Sequence, residues 1–324
     1  MRITGPVRVA GFVVGLVAVF AAALAVGSAF GSGGEPVADD MSEHVESGDA
    51  SQDAGQDAGH DAGDSPVMDE EIPGGLMVSE AGYSFRLTDA RAGSGRGVPV
   101  SFTIEGPDGR PVTAYDVDHG KQLHLVAVRR DFDGFQHVHP TLAEDGTWST
   151  ELDLTPGAWR LFADFNPTGG VGLTLGADLS VAGDYQPRPE AAQVRTARVD
   201  GYTVTLDGRL EPGADSILTL AVARNGRPVT DLQPYLGAYG HLVVLREGDL
   251  AYLHVHPDGA PGDGTTEPGP EVEFEAAVPS SGDYRLFLDF RHDGVVHTAA
   301  FALPTGGTGS SGGGAEEESH GHHH

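Results

Sequence analysis

Two copies of one histidine pattern are the part of this sequence whose residue types and spacing point to chemistry. The pattern is H-x12-H-x-H, formed first by His124, His137 and His139 and then by His241, His254 and His256. Imidazole nitrogens without thiolates suit Cu(II), Zn(II) or Ni(II). The recurrence of three histidines at one spacing therefore predicts a metal site in each copy.

The spacing of the histidines suits a β-hairpin. Residues 131–134 (DFDG) supply turn-forming residues between two strand-like runs. If this turn closes the hairpin, Val128 lies opposite His137. Side chains two apart on a strand share a face, so His124 is expected to join the two later histidines. Imidazoles at those positions would meet one ion at about 2.0–2.1 Å per Zn–N bond.

Two carboxylates extend the predicted sites. Asp164 and Asp289 occupy matching positions in the strands WRLFADF (159–165) and YRLFLDF (284–290). Each is expected to orient a ligating imidazole through its second ring nitrogen or to bind the metal itself. The predicted metal-site residues are therefore His124, His137, His139, Asp164, His241, His254, His256 and Asp289.

The same residues fit a second interpretation. The histidine-bearing face of the first hairpin also carries Val126 and Val128, which suits a buried surface. A histidine in such a setting is often neutral and hydrogen-bonded to backbone or to an aspartate. The alternative function is thus a non-catalytic extracellular structural or interaction module, and the sequence leaves both interpretations open.

The elements that carry these residues form a tandem repeat. GYSFRL (82–87) is matched by GYTVTL (201–206), and GRPVT occurs at both 109–113 and 226–230. Each copy shows about seven short strand-like runs separated by Gly, Pro, Asp and Asn. This pattern predicts an all-β chain with two tandem immunoglobulin-like antiparallel sandwiches, at 76–182 and 191–304.

The termini have different compositions. The nearly uncharged run Val9–Phe30 follows Arg2 and Arg8, and at 1.5 Å per residue it would form about 33 Å of helix, enough to cross a bilayer. Residues 1–31 are therefore expected to be a transmembrane anchor or a cleaved signal. An acidic linker (32–75) and a Gly/Ser/Glu/His tail (305–324) are expected to be disordered. The predicted location is the cell membrane, single-pass, with most of the chain extracytoplasmic, or secreted if the segment is cleaved.

Charge and composition exclude several functions. The 48 acidic and 19 basic residues give a formal net charge of -29, which argues against binding nucleic acid. Without cysteine, thiolate metal sites and cysteine nucleophiles are excluded. No hydrolase, Walker or dinucleotide motif occurs, so neither an enzyme nor an organic cofactor is predicted. The expected partners are the membrane and a metal ion, Cu(II) or Zn(II).

Three stretches resemble a known family. HLVAVRRDFDGFQHVHP (124–140), DGTW (145–148) and WRLFADF (159–165) are similar to bacterial exported or membrane-anchored proteins with a YtkA-like, immunoglobulin-like β domain. The likeness covers about 98–181, and the second copy is more divergent because YLHVHP replaces FQHVHP. Proteins of this kind are described as heavy-metal-associated or copper-related, so the resemblance implies an exported β domain that handles copper.

Overall fold

The computed structural model describes residues 72–189, 193–253 and 255–305. The predicted membrane segment, most of the predicted acidic linker and nearly all of the predicted tail lie outside these residues. In the described part, no helix has the length and apolar character needed to cross a membrane.

The first repeat is built entirely from strands. They are β1 Ser79–Glu80, β2 Tyr83–Leu87, β3 Arg91–Ala92, β4 Gly95–Glu105, β5 Tyr115–Asp116, β6 Leu123–Arg129, β7 Gln136–Val138, β8 Thr141–Leu142, β9 Thr147–Leu154, β10 Gly157–Pro167 and β11 Leu173–Val181. One sheet has the order β1-β2-β4-β9-β8. The other has the order β3-β11-β10-β6-β7, with β5 paired to β10.

The second repeat follows the same plan. Its strands are β12 Thr196–Val199, β13 Tyr202–Gly208, β14 Ala214–Arg224, β15 Arg227–Pro228, β16 His241–Arg246, β17 Tyr252–Leu253, β18 Val255–Pro257, β19 Glu271–Val278, β20 Asp283–His292 and β21 Val295–Pro304. One sheet has the order β12-β13-β14-β19-β18, with β15 paired to β14, and the other has β17-β16-β20-β21. The pairing is antiparallel apart from β3 on β11, so within the described residues the prediction of all-β, antiparallel repeats is confirmed.

Each repeat has a core of its own between its two sheets. In the first repeat this core includes Phe102, Ile104, Trp148, Trp159 and Leu161, all at most 2% exposed. The second repeat has an equivalent core around Phe274, Tyr284 and Phe301. The alternation of apolar and polar residues along β9 and β19 is the expected pattern for strands with one buried face.

The two repeats pack through one sheet each, here called the inner sheets: the sheet of the first repeat that contains β6 and β10, and the sheet of the second that contains β16 and β20. All seven residues of β6 are buried. Its odd-numbered positions from Leu123 to Ala127 fill the core of the first repeat. Val126 and Val128 instead join Val243 and Phe287 in a separate cluster between the repeats. The ring of Phe135 stacks on Phe287 at 4.0 Å between centroids.

A short stretch before β1 ties the inner sheets together. This leading segment, Gly74–Met77, accepts a hydrogen bond at Gly74 O from Tyr252 N (2.9 Å) in the second repeat. Its Gly75 N donates to Thr174 O (2.7 Å) in the first repeat. The buried Arg160 guanidinium donates to Gly75 O at 2.6 Å. Gly74 and Gly75, which lie within the predicted linker, are therefore bonded to both repeats.

The opposite end of the fold also extends past its predicted boundary. Thr305 N donates to Gly282 O at 2.9 Å, so the first residue of the predicted tail is part of the second repeat. Between the repeats, the stretch up to Arg188 is held on the β6–β7 turn. Arg188 N donates to Asp131 Oδ2 at 2.7 Å, and the Arg129 guanidinium lies 5.2 Å from the ring centroid of Tyr185.

The contact between the leading segment and β11 leaves no room for a side chain at Gly176. A Cβ there would overlap the carbonyl oxygen of Gly75 and lie 2.5 Å from Arg160 Nη2. We expect Gly176→Ala to lower the free energy of unfolding by about 1–3 kcal/mol, the usual cost of overpacking, measured by urea denaturation. The control is Gly172→Ala, where no atom lies within 4 Å of the added carbon. Equal stability of the two variants would contradict the packing described here.

Candidate metal centre

The histidines of the first repeat reach the interface through the local geometry of β6 and β7. In the β6–β7 pairing, Val126 lies opposite His137. The expected partner of His137 was Val128, so the predicted register is wrong by two residues. A shift of two keeps every side chain on its face. His124 and His137 therefore still lie on one face of the hairpin, the face that meets the second repeat.

Four imidazoles gather between the inner sheets, here called the histidine cluster: His124, His137, His139 and His241. The His124 ring centroid lies 5.2 Å from that of His137 and 5.0 Å from that of His139. His241 of the second repeat stacks nearly parallel to His124, with 5.6 Å between centroids. One ligand atom from each of His124, His137 and His241 lies within 4.8 Å of the other two.

Hydrogen bonds assign the protons of two of these rings. His124 Nε2 lies 3.2 Å from the carbonyl oxygen of Asp118, which only accepts, so Nε2 carries the ring proton. His137 Nδ1 lies 3.0 Å from Asp289 Oδ2 and donates to this carboxylate. If both rings are neutral in these tautomers, the remaining nitrogens, His124 Nδ1 and His137 Nε2, both carry lone pairs. These two nitrogens are 3.0 Å apart, and a proton or a metal ion between them would satisfy both.

The third histidine of the first repeat has an unsatisfied nitrogen. His139 Nε2 is buried and has no hydrogen-bond partner in the described part of the chain. Leaving such an atom unpaired costs about 1–3 kcal/mol. The ring of His139 lies 5.0 Å from that of His137, so the unpaired atom belongs to the same cluster.

Three histidines of the cluster, His124, His139 and His241, are held in the neutral form. Burial, helped by the nearby His137 ring, lowers the pKa of His124 to about 4. Burial also lowers the pKa of His139 to about 3, with further contributions from His137 and His124. Burial also holds the pKa of His241 well below its ordinary value. Neutral imidazole is the form that binds transition metals.

Both predicted aspartates lie beside the cluster, at equivalent places in the two repeats. Asp164 is opposite His124 in the β6–β10 pairing, and Asp289 is opposite His241 in the β16–β20 pairing. Asp289 is 3% exposed and accepts a hydrogen bond from Thr298 Oγ1 at 2.5 Å. Its second oxygen orients His137 across the interface.

Asp164 has a different environment. It accepts a hydrogen bond from Thr174 Oγ1 at 3.2 Å, and no imidazole of the described residues bonds to it. Burial raises the pKa of Asp164 to about 6, which the bond from Thr174 opposes. Of the two carboxylates predicted to orient an imidazole, Asp289 does so in the described residues.

The predicted second three-histidine hairpin does not form. His241 lies on β16 in the inner sheet, but His256 lies on β18 in the other sheet, opposite Glu275, and is exposed. His254 lies outside the described residues. The chain leaves the inner sheet after Leu253, whereas in the first repeat β7 continues to Val138. The described residues thus form one cluster shared by both repeats.

Comparison of the two copies discounts His119 as a site residue, but the structure places it next to the cluster. Its ring centroid is 6.3 Å from that of His124 and 6.0 Å from that of His241. The second repeat has Leu236 at the matching position, so the comparison of repeats hid this residue. Thr174 and Thr298 were missed as well, although each lies directly opposite its aspartate in the neighbouring strand.

Two bacterial adhesins are among the solved structures with some likeness to this chain. FdeC, an Escherichia coli adhesin, is 15% identical with a TM-score of 0.25, over 71% of this chain and 65% of that one. The Yersinia pseudotuberculosis adhesin InvE is 14% identical with a TM-score of 0.22, over 69% of this chain and 59% of that one. This chain thus spans less than two thirds of each, and TM-scores this low carry no information on function. No curated protein matches the sequence.

One known domain family matches this chain twice, once in each repeat. The domain of unknown function DUF8832 matches residues 78–182 and, a second time, residues 197–307. These two ranges contain nearly all described strands of the two repeats and more than half of the chain. The protein therefore belongs to the DUF8832 family and carries two copies of its domain.

Proposed function

We propose that this protein binds one Cu(II) or Zn(II) ion per chain between its two repeats, and buffers or transfers that ion outside the cytoplasm. The observation that carries the proposal is the convergence of ring nitrogens: His124 Nδ1 and His137 Nε2 are 3.0 Å apart, and a nitrogen of His241 lies within 4.8 Å of both ligand atoms. Two metal–nitrogen bonds of about 2.0–2.1 Å that end 3.0 Å apart enclose an angle of roughly 90–100°. This angle lies between the square-planar and tetrahedral values.

The remaining ligands come from both repeats. His241 is within ligand distance of the same pair, and the unpaired Nε2 of His139 supplies a further nitrogen. Asp289 bonds the far nitrogen of His137, the arrangement by which carboxylates orient ligating imidazoles. The role of the ion is supported by the resemblance to copper-related exported proteins, and the location by the apolar run Val9–Phe30.

We also assign each repeat to the immunoglobulin-like class of sandwich. In the first repeat, one sheet contains the order β2-β4-β9-β8 and the other contains β11-β10-β6, with β7 at the edge beside β6. These two orders correspond to the A-B-E-D and G-F-C orders of immunoglobulin-like domains.

A competing explanation keeps the histidines structural. A proton between His124 and His137 would also satisfy both lone pairs, with the charge of a His137 imidazolium balanced by Asp289. The same residues would then form a hydrogen-bonded core of an interaction module. The low pKa of His124 argues against a charge on that ring, and metal binding separates the two explanations directly.

The test is a metal titration of the full chain with the histidines of the termini replaced by alanine, namely His44, His60, His320, His322, His323 and His324. We expect one Cu(II) or Zn(II) per chain by calorimetry and elemental analysis, and nitrogen couplings in the Cu(II) EPR spectrum. His137→Ala should abolish stoichiometric binding because it removes a ligand and its link to Asp289. The matched control is His256→Ala, since His256 is exposed on the other sheet. A chain that binds no ion, or keeps it after His137→Ala, would exclude the proposal.

The orienting carboxylate gives a second prediction. Asp289→Asn should weaken metal affinity by about 10–100-fold, the usual effect of losing such a partner, while the ratio of one ion per chain is kept. Asp164→Asn is the control, because Asp164 bonds Thr174 rather than an imidazole of the described residues. Competition titrations against a chelator of known affinity measure both variants. Equal losses at the two positions would show that Asp289 has no special role.

The low pKa values predict acid sensitivity of the metal-free protein. Because the folded state disfavours protonation of His124 and His139, the unfolded state binds more protons below pH about 6.5, and stability falls from there down to pH about 4. Each histidine contributes up to about 1.4 kcal/mol per pH unit in this window. The raised pKa of Asp164 acts in the opposite direction, since its contribution is lost as the pH rises towards 6.

The measurement is the free energy of unfolding between pH 4.5 and 7 for the wild-type chain and for the double variant His124→Asn and His139→Asn. The difference between the two curves isolates the histidines from all carboxylates. We expect the variant to have the shallower slope. Parallel curves would mean that these imidazoles are not held neutral by the fold.

A further inference from the structure

A tight turn before β6 places one more histidine at the edge of the cluster. Asp118 and Lys121 exchange two backbone hydrogen bonds, at 2.8 and 2.9 Å. The two residues between them, His119 and Gly120, both have positive φ, at 47° and 77°. This is the geometry of a two-residue hairpin turn of type I′. The carbonyl of Asp118 is also the acceptor for His124 Nε2, so the turn is attached directly to the cluster.

The second repeat has the same turn with a different side chain. Tyr235 and Ala238 exchange backbone hydrogen bonds, and Leu236 and Gly237 have φ values of 53° and 81°. Leu236 therefore occupies the position of His119. The backbone conformation accepts either side chain, so the turn itself does not require a histidine.

His119 differs from the cluster in its exposure. Its side chain is 33% exposed, whereas the side chain of His137 is 1% exposed and His124 as a whole is 5% exposed. Its ring lies about 6 Å from those of His124 and His241, outside the group whose ligand atoms lie within 4.8 Å of each other. His119 thus lies beside His124 and His241 and is in contact with solvent.

We propose that His119 is the ligand through which a metal ion enters and leaves the buried site, an inference that rests on the proposed function. An ion in water exchanges its ligands stepwise, and the side chains of His124 and His137 offer it no exposed first contact. The exposed carboxylate of Asp118 lies 3.7 Å from His119 Nε2, so it attracts a cation towards this ring. The lone pair of His119 is therefore the feature that captures the ion, which then passes to His124 and His241.

The test measures transfer rates in the full chain with the terminal histidines replaced, using Zn(II) as the probe. His119→Leu introduces the residue that the second repeat carries at the same φ. We expect uptake of Zn(II) and its release to excess EDTA both to slow by about tenfold, with the dissociation constant changed by less than about threefold, because the two rates fall together. The control is His256→Leu, at an exposed histidine on the other sheet, which should leave both rates unchanged.

Two results would overturn this inference while leaving the metal site intact. Unchanged rates in the His119→Leu chain would mean that ions reach the cluster by another route. A larger dissociation constant together with faster release would mean that His119 is one of the ligands of the bound ion. If the chain with an intact cluster binds no Zn(II) at all, the proposed function fails, and this outcome is seen before any substitution at His119.

Discussion

Face-to-face packing of the inner sheets is the constraint on which the other features of this structure depend. It places β6 between two cores, so all of its side chains are buried, including a histidine on the face that would otherwise be exposed. A polar group in such a place requires a partner, because its desolvation is not recovered by apolar contacts. Asp118 O accepts a hydrogen bond from His124, and Asp289, which itself accepts one from Thr298, accepts one from His137, so this requirement is met in part. The nitrogens of His124 and His137 that face each other at 3.0 Å complete the contacts of the two rings.

Duplication explains why the two inner sheets carry matching residues around the histidine cluster, whereas the two repeats contribute different numbers of histidines to it. Both inner sheets carry an aspartate opposite a histidine on one side and a threonine on the other, as Asp164 and Asp289 show. The ligands differ because the chain leaves the inner sheet at different points in the two repeats. Three cluster histidines come from the first repeat and one from the second. Fusion of two domains in one chain permits this division, since each copy can change separately.

The proposed metal site would link ion binding to the docking of the two repeats. Its histidines come together only when the inner sheets meet, so the free energy of ion binding would also be a free energy of association. The leading segment reinforces the same contact, because Gly74 bonds the second repeat and Gly75 bonds the first. It directly follows the acidic stretch of the sequence. The histidine cluster and the leading segment thus both lie between the two inner sheets.

Local patterns in the sequence determined the strands, the turns, the duplication and the face on which His124 and His137 lie. These features depend on the two-residue period of strands and on turn chemistry, so even a register wrong by two residues preserved the face. Tertiary structure alone decided that His241 joins the first repeat's histidines, that His256 lies on the other sheet and that His119 borders the site. The reason is physical: His124 and His241 are 117 positions apart in the sequence. Their meeting depends on the shapes of two folded surfaces, which no local period encodes.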